Sequence, residues 1–179
     1  FADQLVNKVI MDEYLNPKFE QADLLKAVPD WKLLEKEIKA KYTRKGIKNL
    51  LAQKAQYYYL KKDIENFYAA KVRLHKEFPG SVAIFDLNND AWFVFEMTDD
   101  KKMLETALGW SKQAVAAEPT ANYYDTYANV LYRMGKKEEA IKMMEKGMTL
   151  DSGNSPDPES FKRNLDKMRA GQPTWPAKR

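Results

Sequence analysis

The chain of 179 residues contains no cysteine and a single histidine, His75. Without cysteine there are no disulfides, no thiolate zinc sites and no thiol nucleophiles. One histidine does not make a common zinc site, and a Ser-His-Asp arrangement needs a serine on the same face as His75, which the predicted helices do not supply. His75 also falls on the apolar stripe of a predicted helix. The sequence therefore predicts a non-enzymatic protein with no cofactor and no metal.

Glycine and long apolar runs are also scarce. Only 7 residues are glycine, and Lys, Glu, Ala, Leu and Met are abundant, which favours helix. No run approaches the roughly 18 apolar residues that a membrane span requires. The 44% hydrophobic and 31% charged fractions are typical of a globular protein. We therefore expect an all-α protein with no membrane span.

The net charge of +4 is small, but the basic residues are concentrated in one segment. Residues 32–62 hold ten Lys or Arg, nine of them Lys, against Glu35 and Glu37. Lysine is a hydrated point charge that recognises forked phosphate groups poorly. Two interpretations stay open, a solvated helix face and a patch that binds an anionic surface.

Tyr57-Tyr58-Tyr59 lie beside lysines, but successive helical residues point about 100° apart and form no stacking platform. We expect no nucleic-acid partner.

Residues 123–150 carry the clearest pattern, which predicts two antiparallel helices joined by a tight turn at Gly135. Apolar residues recur at helical spacing in both halves. They are Tyr124, Tyr127, Ala128 and Leu131 in the first helix, and Ala140, Ile141, Met144, Gly147 and Met148 in the second. The small members, Ala128, Ala140 and Gly147, are expected to let the two backbones approach closely.

Similar patterns precede this hairpin. Residues 47–60 and 64–78 form one predicted hairpin, and 85–97 and 103–117 form another, with Ala91 and Ala107 at the inward small positions. Asp99 or Asp100 is expected to cap the helix that follows them. Before these hairpins we expect N-terminal helices over 1–46. Asn16-Pro17 ends one of them, Asp30 caps the next, and Arg44-Lys45-Gly46 ends that one.

The last part of the chain predicts a linker at 151–158, a helix at 159–170 and an extended tail. Phe161, Leu165 and Met168 form the apolar face of the helix, which is expected to cap the end of a helical stack. Trp175 has no helix of its own, so it either docks back on the array or belongs to a free tail. We therefore divide the chain into a helical domain at 1–150 and a capping segment at 151–179.

Counted back from Gly135, the hairpin at 123–150 resembles the tetratricopeptide repeat, a helical hairpin of about 34 residues. Tyr124 falls on the first aromatic position of the repeat and Ala128 on its small position. Met144 replaces the usual aromatic residue, and Ser152 replaces the closing proline. The resemblance implies a right-handed array of antiparallel hairpins, an α-α superhelix. It has clear repeats at 85–118 and 121–150 and a divergent one at 47–79.

Two stretches are more specific. Residues 87–92 read LNNDAW, and residues 125–135 read DTYANVLYRMG. In tandem they are similar to the helical C-terminal region that follows a thioredoxin-like domain in a group of exported bacterial proteins. The resemblance implies an extracytoplasmic accessory module. No Cys-x-x-Cys is present, so redox activity is not carried over. The chain begins at Phe1 rather than Met, and we expect that a leader or an upstream domain precedes it in a longer reading frame. Either a thioredoxin-like domain lies upstream of Phe1 or this protein never had one, and the full reading frame decides between the two.

The resemblance also implies where a partner binds, because tetratricopeptide arrays bind ligands on the concave face lined by the first helix of each hairpin. The residues implied there are Asn88, Asn89, Trp92, Phe95 and Glu96 in one hairpin, and Asp125, Thr126, Asn129, Tyr132 and Arg133 in the next. Amide, carboxylate and aromatic groups together suit an extended peptide.

The same residues have a purely structural interpretation. On this interpretation Asn88 and Asp125 serve only to bond the neighbouring helix, and Trp92 is typical of a core residue. If Trp175 occupies the concave face, the groove is capped by the chain itself and partner binding there is less favoured. Three functional hypotheses follow: a protein-interaction module, the accessory domain of a redox protein, and an anionic-surface binder acting through residues 32–62.

Overall fold

The structure is a computed structural model that describes residues 7–24, 27–150 and 158–177. All regular elements in these ranges are helical, which confirms the all-α prediction. A π-helical turn at Met11–Leu15 is followed by α1 (Asn16–Leu24), α2 (Trp31–Leu60), α3 (Ile64–Glu77), α4 (Ile84–Met97), α5 (Lys101–Ala117), α6 (Ala121–Arg133), α7 (Lys137–Leu150) and α8 (Pro158–Ala170). Within the described ranges, no helix has the length and apolar character to cross a bilayer. The predicted linker lies outside these ranges except for Pro158, as do residues 1–6 of the predicted N-terminal helices.

Helices α2, α3, α5 and α6 each begin at a side chain that caps the first turn. The carboxylates of Asp30, Asp63 and Asp100 accept hydrogen bonds of 3.0, 3.1 and 2.9 Å from the backbone N–H three residues later. The hydroxyl of Thr120 does the same for Tyr123 at 3.3 Å. A cap satisfies a backbone donor that the helix itself leaves without a partner. The caps predicted at Asp30 and in the Asp99-Asp100 pair are confirmed, the latter at Asp100.

Packing divides the chain into two compact units, residues 1–79 and 80–179. The first unit contains α1 to α3, and the second contains α4 to α8. The boundary falls at Pro79-Gly80, just after α3. The predicted repeat boundaries and the predicted division at residue 150 stay predictions.

Two helix ends predicted in the first unit are wrong. The chain stays helical through Asn16-Pro17, because the π turn at Met11–Leu15 leads directly into α1 and the N–H of Asn16 bonds to the carbonyl of Met11. Proline lacks an N–H, and the wider π turn takes up this change in hydrogen bonding. Helix α2 is not ended at Gly46 but broken at Thr43, where φ is 55° and ψ is −144°.

Gly46 has a different role from the predicted one. It is buried, and a Cβ atom there would lie 2.5 Å from Cγ2 of Ile38 and 2.7 Å from Cβ of Tyr42. The absence of a side chain lets the two halves of α2 come into contact across the break at Thr43.

The core of the first unit is built on α2. The indole of buried Trp31 donates a 2.9 Å hydrogen bond to the hydroxyl of Tyr58, which is 7% exposed, so the core position predicted for Tyr58 is confirmed. Phe19 and Tyr57 pack their rings against the same indole, at 5.7 and 5.5 Å between centroids. Helix α3 packs against α2 and buries Phe67, Ala70 and Leu74.

In the second unit each helix packs against the next one along the chain. Helix α6 therefore contacts α5 and α7, and it also contacts α4 on one side and α8 on the other. Three-residue connections at 98–100, 118–120 and 134–136 join the helices from α4 to α7. The last contains Gly135 with φ +80°, as predicted for a left-handed glycine. Helices α4, α6 and α8 therefore lie side by side on one face of the unit.

The small residues predicted to face inward are confirmed as contact points. Ala91, Ala107, Ala128 and Ala140 are each 0% exposed. A Cβ on Gly147 would lie 2.9 Å from Cβ of Tyr124, so the backbones of α6 and α7 approach closely there. Met148 was also predicted to face inward, which is wrong: it is 36% exposed, because Gly147 faces α6 and the next helical residue points about 100° away.

We expect Gly147→Ala to destabilise the protein by about 1–2 kcal/mol, although alanine is the better helix former. The added methyl group would meet Tyr124 and the carbonyl oxygen of Ala121, which lies 3.3 Å from the new Cβ. Gly109 in α5 is the matched control, because a Cβ there meets nothing within 4 Å. Gly109→Ala should stabilise by about 0.5–1 kcal/mol. Urea unfolding measures the free energy of unfolding of both variants. If both changes had the same sign, the close approach of α6 and α7 at Gly147 would be contradicted.

Helix α8 covers the end of the last hairpin. Phe161, Leu165 and Met168 are buried, which confirms its predicted apolar face. They join one core cluster with Ala128, Leu131, Ala140 and Met144 of α6 and α7. Gly171, with φ +72°, ends the helix, and Gln172 donates to the carbonyl of Lys167 at 2.8 Å. The tail turns at this point.

Candidate functional site

A cleft of about 420 Å³ opens between α4 and α6, on the face that these helices share with α8. Five of the residues implied on the partner-binding face line it, namely Asn88, Asn89, Trp92, Asp125 and Thr126. The rest of the lining is Phe85, Thr120, Asn122 and Tyr123. The wall therefore combines amide, hydroxyl, carboxyl and aromatic groups.

The three residues from α4 have different surroundings. Asn89 is exposed, whereas Asn88 is 8% exposed and its Oδ1 finds no hydrogen-bond partner among the described residues. Trp92 is half-buried, and its ring lies 4.9 Å from the ring of Phe95, which is fully buried. Trp92 is thus anchored on one side by the core and open to the cleft on the other.

Asp125 is the polar centre of this face and joins two helices. Its Oδ1 accepts hydrogen bonds from Nδ2 of Asn129 at 2.9 Å and from Nδ2 of Asn164, on α8, at 3.3 Å. Burial raises the pKa of Asp125 from 3.8 to about 6, and the two amide donors oppose that rise. Asn129 also donates to the backbone carbonyl of Asp125 and is 0% exposed. Its side chain is therefore used within the chain and is not open to a partner.

Glu96 lies one turn beyond Trp92 on α4 and is half-buried. Burial raises the pKa of its carboxyl group, and a hydrogen bond with the indole of Trp92 acts in the opposite direction. The two predicted residues therefore hold each other in place at the side of the cleft.

Arg133 is held inside the second unit rather than presented to solvent. Its side chain is only 2% exposed. Nη2 and Nε lie 2.8 and 3.1 Å from Oδ1 of Asp99, in the connection after α4, and Nη1 donates to the backbone carbonyl of Phe95. Arg133 thus ties the end of α6 to the end of α4.

Trp175 docks back on the second unit, as one of the two sequence interpretations predicted. Its ring centroid lies 6.0 Å from that of Tyr132 and 6.4 Å from that of Phe95, and the guanidinium carbon of Arg133 lies 4.9 Å above it. These three residues were all predicted on the concave face. The tail therefore covers the end of this face, while the cleft at Asn88 and Asn89 stays open.

Sequence reasoning missed two residues of this site. Asp99 was proposed only as a helix cap, yet it is the partner of Arg133, 34 residues away. Asn164 was not singled out, yet it bonds Asp125, 39 residues away. No local pattern reports such distant pairs. Thr120 is different, because a threonine just before an apolar helical stripe is a cap signal that the sequence does contain.

The chemistry available here is that of recognition. The cleft is lined by the exposed amide side chain of Asn89, by Asn88, whose buried Oδ1 has no partner among the described residues, and by the ring of Trp92. Amide and aromatic groups together suit the donors, acceptors and side chains of a polypeptide. Within the described residues no group of three or more His, Asp or Glu side chains is placed to hold a metal. No protein-family model matches this chain, and no curated protein or solved structure matches it either.

Proposed function

We propose that the second unit is a tetratricopeptide-like, non-enzymatic interaction module that binds an extended polypeptide in the cleft between α4 and α6. The partner is a protein or a peptide segment. Asn88, Asn89, Trp92 and Asp125 contact it, and Asn129 and Arg133 support the contacting residues from behind.

The packing order of the helices supports this proposal. In a tetratricopeptide array, consecutive helices pair antiparallel and the first helices of successive hairpins line one face. Here α4 and α5 form one pair and α6 and α7 the next, while α4 touches α6 and α6 touches α8. Buried alanines lie at the crossing points. Helix α8 takes the place of a further first helix and covers the end of the array.

The observation that carries the proposal is the buried oxygen of Asn88. Buried polar atoms are nearly always hydrogen-bonded, and leaving one without a partner costs about 1–3 kcal/mol. Oδ1 of Asn88 has no partner among the described residues and belongs to a residue that lines the cleft. Because that oxygen is buried, a backbone N–H of a bound peptide would satisfy it only if the side chain of Asn88 turned towards the cleft.

Site-directed photo-crosslinking tests the proposal. A benzoylphenylalanine at Asn89, which is exposed in the cleft, should crosslink a partner in the source cells. The same group at Lys112, exposed on α5, should not. The captured segment is then synthesised, and its affinity is measured against Asn89→Arg and Trp92→Ala, each expected to weaken binding by about tenfold or more. Equal affinity for the wild type, Asn89→Arg and Lys112→Ala would refute binding in the cleft.

A second candidate function, binding of an anionic surface, is favoured by a cavity of about 740 Å³ in the first unit. Arg73 bonds both carboxylates there, Glu35 at 2.5 and 2.7 Å and Glu77 at 2.6 Å, so each is already paired. Arg73 also holds the pKa of Glu35 below its ordinary value, chiefly through these hydrogen bonds. One guanidinium charge offsets only one of the two carboxylates, but the lining also holds Lys39, Arg44 and Lys76, so its net charge is positive.

The remaining cations of that cavity come from two helices and the break between the halves of α2. Lys39, Arg44 and Lys76 are exposed and line the opening. Vesicles rich in phosphatidylglycerol are the probe, with phosphatidylcholine vesicles as the neutral comparison. Lys39→Ala with Lys76→Ala should weaken binding and flatten its dependence on salt, whereas Lys36→Ala, exposed on the same helix, should not. Absence of binding at low salt would dispose of this candidate.

The role as an accessory domain of a thioredoxin-like redox protein, and an extracytoplasmic location, stay predictions from the sequence resemblance. The reading frame upstream of Phe1 tests the first, and fractionation of the source cells tests the second.

A further inference from the structure

The chain carries its own aromatic ligand on the face proposed to bind a partner. The tail after α8 contains Pro173, Trp175 and Pro176, and its tryptophan ring packs against rings of α4 and α6. Phe95 meets that ring edge-on at 87°, and Tyr132 meets it at 52°. The ring is therefore seated in a defined aromatic site.

The site is built from parts that do not belong to the tail. Phe95 is 0% exposed, and Arg133 is oriented by Asp99 and by the carbonyl of Phe95. A guanidinium group fixed over an aromatic ring attracts it by a cation–π interaction, more strongly where water is excluded. Because α4, α6 and the connection that follows α4 supply these contacts, the site is preorganised for an indole ring whatever chain that ring comes from.

The tail is an imperfect occupant. Oγ1 of Thr174, next to the tryptophan, is buried without a hydrogen-bond partner among the described residues. A polar atom buried in this way opposes docking by about 1–3 kcal/mol. A segment that seats an indole ring without that cost, or that makes further contacts nearby, competes favourably with the tail.

Further contacts lie directly beside the aromatic site. Phe95 joins Trp175 on one side and Trp92 on the other, at 6.4 and 4.9 Å between ring centroids. Trp92 in turn lines the open cleft with Asn88 and Asn89. One extended segment can therefore occupy the aromatic site and the cleft together. The described part of the tail, up to residue 177, contacts the aromatic site but contributes no residue to the lining of the cleft.

We propose that the Phe95–Tyr132–Arg133 site is the specificity subsite of the partner groove, and that it accepts a tryptophan flanked by proline from a partner segment in exchange for Trp175. This inference rests on the proposed function. Prolines restrict the unbound segment and so reduce the entropy lost on docking. Because the tail is tethered, its effective concentration at the site is on the order of millimolar, and it lowers the apparent affinity of any partner accordingly.

A synthetic peptide of residues 172–177, labelled with fluorescein, tests the exchange on the full chain. It should bind Trp175→Ala about tenfold or more tightly than the wild type, because the tethered competitor is gone. A peptide with alanine in place of its tryptophan should not bind, and adding Tyr132→Ala to Trp175→Ala should abolish binding. Tyr59→Ala, exposed in the first unit, is the control and should leave binding unchanged. No binding of the peptide to folded Trp175→Ala at about 1 mM would overturn the inference.

A second measurement does not depend on that variant. The wild-type chain is labelled with 5-fluorotryptophan, and unlabelled peptide is added. The ¹⁹F resonance of Trp175 should move towards the position of a solvent-exposed indole as the peptide displaces the tail. A resonance that stays in place at saturating peptide would also overturn the inference.

Crosslinking at Asn89 separates the two proposals. If a partner is crosslinked but the peptide does not bind, only the exchange at the aromatic site is wrong. If the peptide binds but no partner is crosslinked, binding in the cleft is rejected and only the aromatic site remains.

Discussion

Asp125→Asn is expected to stabilise the protein by up to about 3 kcal/mol at pH 8, with the gain shrinking towards zero below pH 4. An asparagine oxygen can accept the same hydrogen bonds from Asn129 and Asn164 that Oδ1 of Asp125 accepts. The substitution therefore keeps the link between α6 and α8, replaces Oδ2 by an amide nitrogen and removes the negative charge of a half-buried carboxyl group.

The sign follows from the direction of the pKa shift. Burial raises the pKa of Asp125 to about 6 in the folded protein, above its ordinary value of 3.8. Between these two pH values the folded state holds a proton that the unfolded state has lost, so the free energy of unfolding falls as pH rises. Above pH 6 the full cost of the buried carboxylate is present. Asparagine has no such cost at any pH.

Urea unfolding of both proteins between pH 4 and pH 8 checks this expectation. Asp166→Asn is the matched control, since Asp166 is an exposed carboxylate on α8 and its replacement should change stability by less than about 0.5 kcal/mol. If the free energies of unfolding of Asp125→Asn and the wild type changed in parallel with pH, the raised pKa of Asp125 would be contradicted. Lower stability of Asp125→Asn at pH 8 would show that the carboxylate is instead a favourable member of the network.

Phe161→Ala is expected to lower the free energy of unfolding by about 4 kcal/mol. Phe161 is 2% exposed and packs in the cluster that joins α8 to Ala128 and Met144. Its removal deletes apolar contact and leaves a cavity that α6 and α7 cannot fill without moving. Because the tail follows α8, we also expect Trp175 to leave its site more often in this variant.

Equilibrium unfolding measures the cost, and amide hydrogen exchange shows where it falls. Exchange should speed up over 158–177 while α4 and α5 change least. The control is Phe85→Ala, which removes the same side chain from a position that is 64% exposed and should change stability by no more than about 0.5 kcal/mol. Similar costs for both variants would mean that α8 does not contribute a packed face.

Much of the fold could be predicted because its determinants are local. The period of Tyr124, Ala128 and Leu131 predicts which side of α6 is buried, and Asp30 and Asp100 mark helix starts through their own side chains. The errors fall where a local rule was overridden by packing. Pro17 did not end its helix because a π turn preceded it, and Gly46 is needed for contact with Ile38 rather than for a helix end.

The candidate site was predictable only in part. The resemblance to a helical repeat implied one face for Asn88, Asn89, Trp92, Asp125 and Thr126, and the structure gathers these five around the cleft. The resemblance does not tell which polar groups the chain uses for itself. Asn129 and Arg133 share the predicted face but are bonded to Asp125 and to Asp99. Their availability depends on partners that only the folded chain brings near.

The amino-acid sequence by itself determined most of the helices, the caps at Asp30 and Asp100 and the glycine turn at Gly135, since each depends on residues within a few positions. The helical period also marked which alanines turn inward. The tertiary structure alone decided that α8 bonds Asp125 through Asn164, that Asp99 holds Arg133, and that Trp175 fills one end of the face. These contacts join residues more than thirty positions apart, and their geometry exists only after the helices have packed.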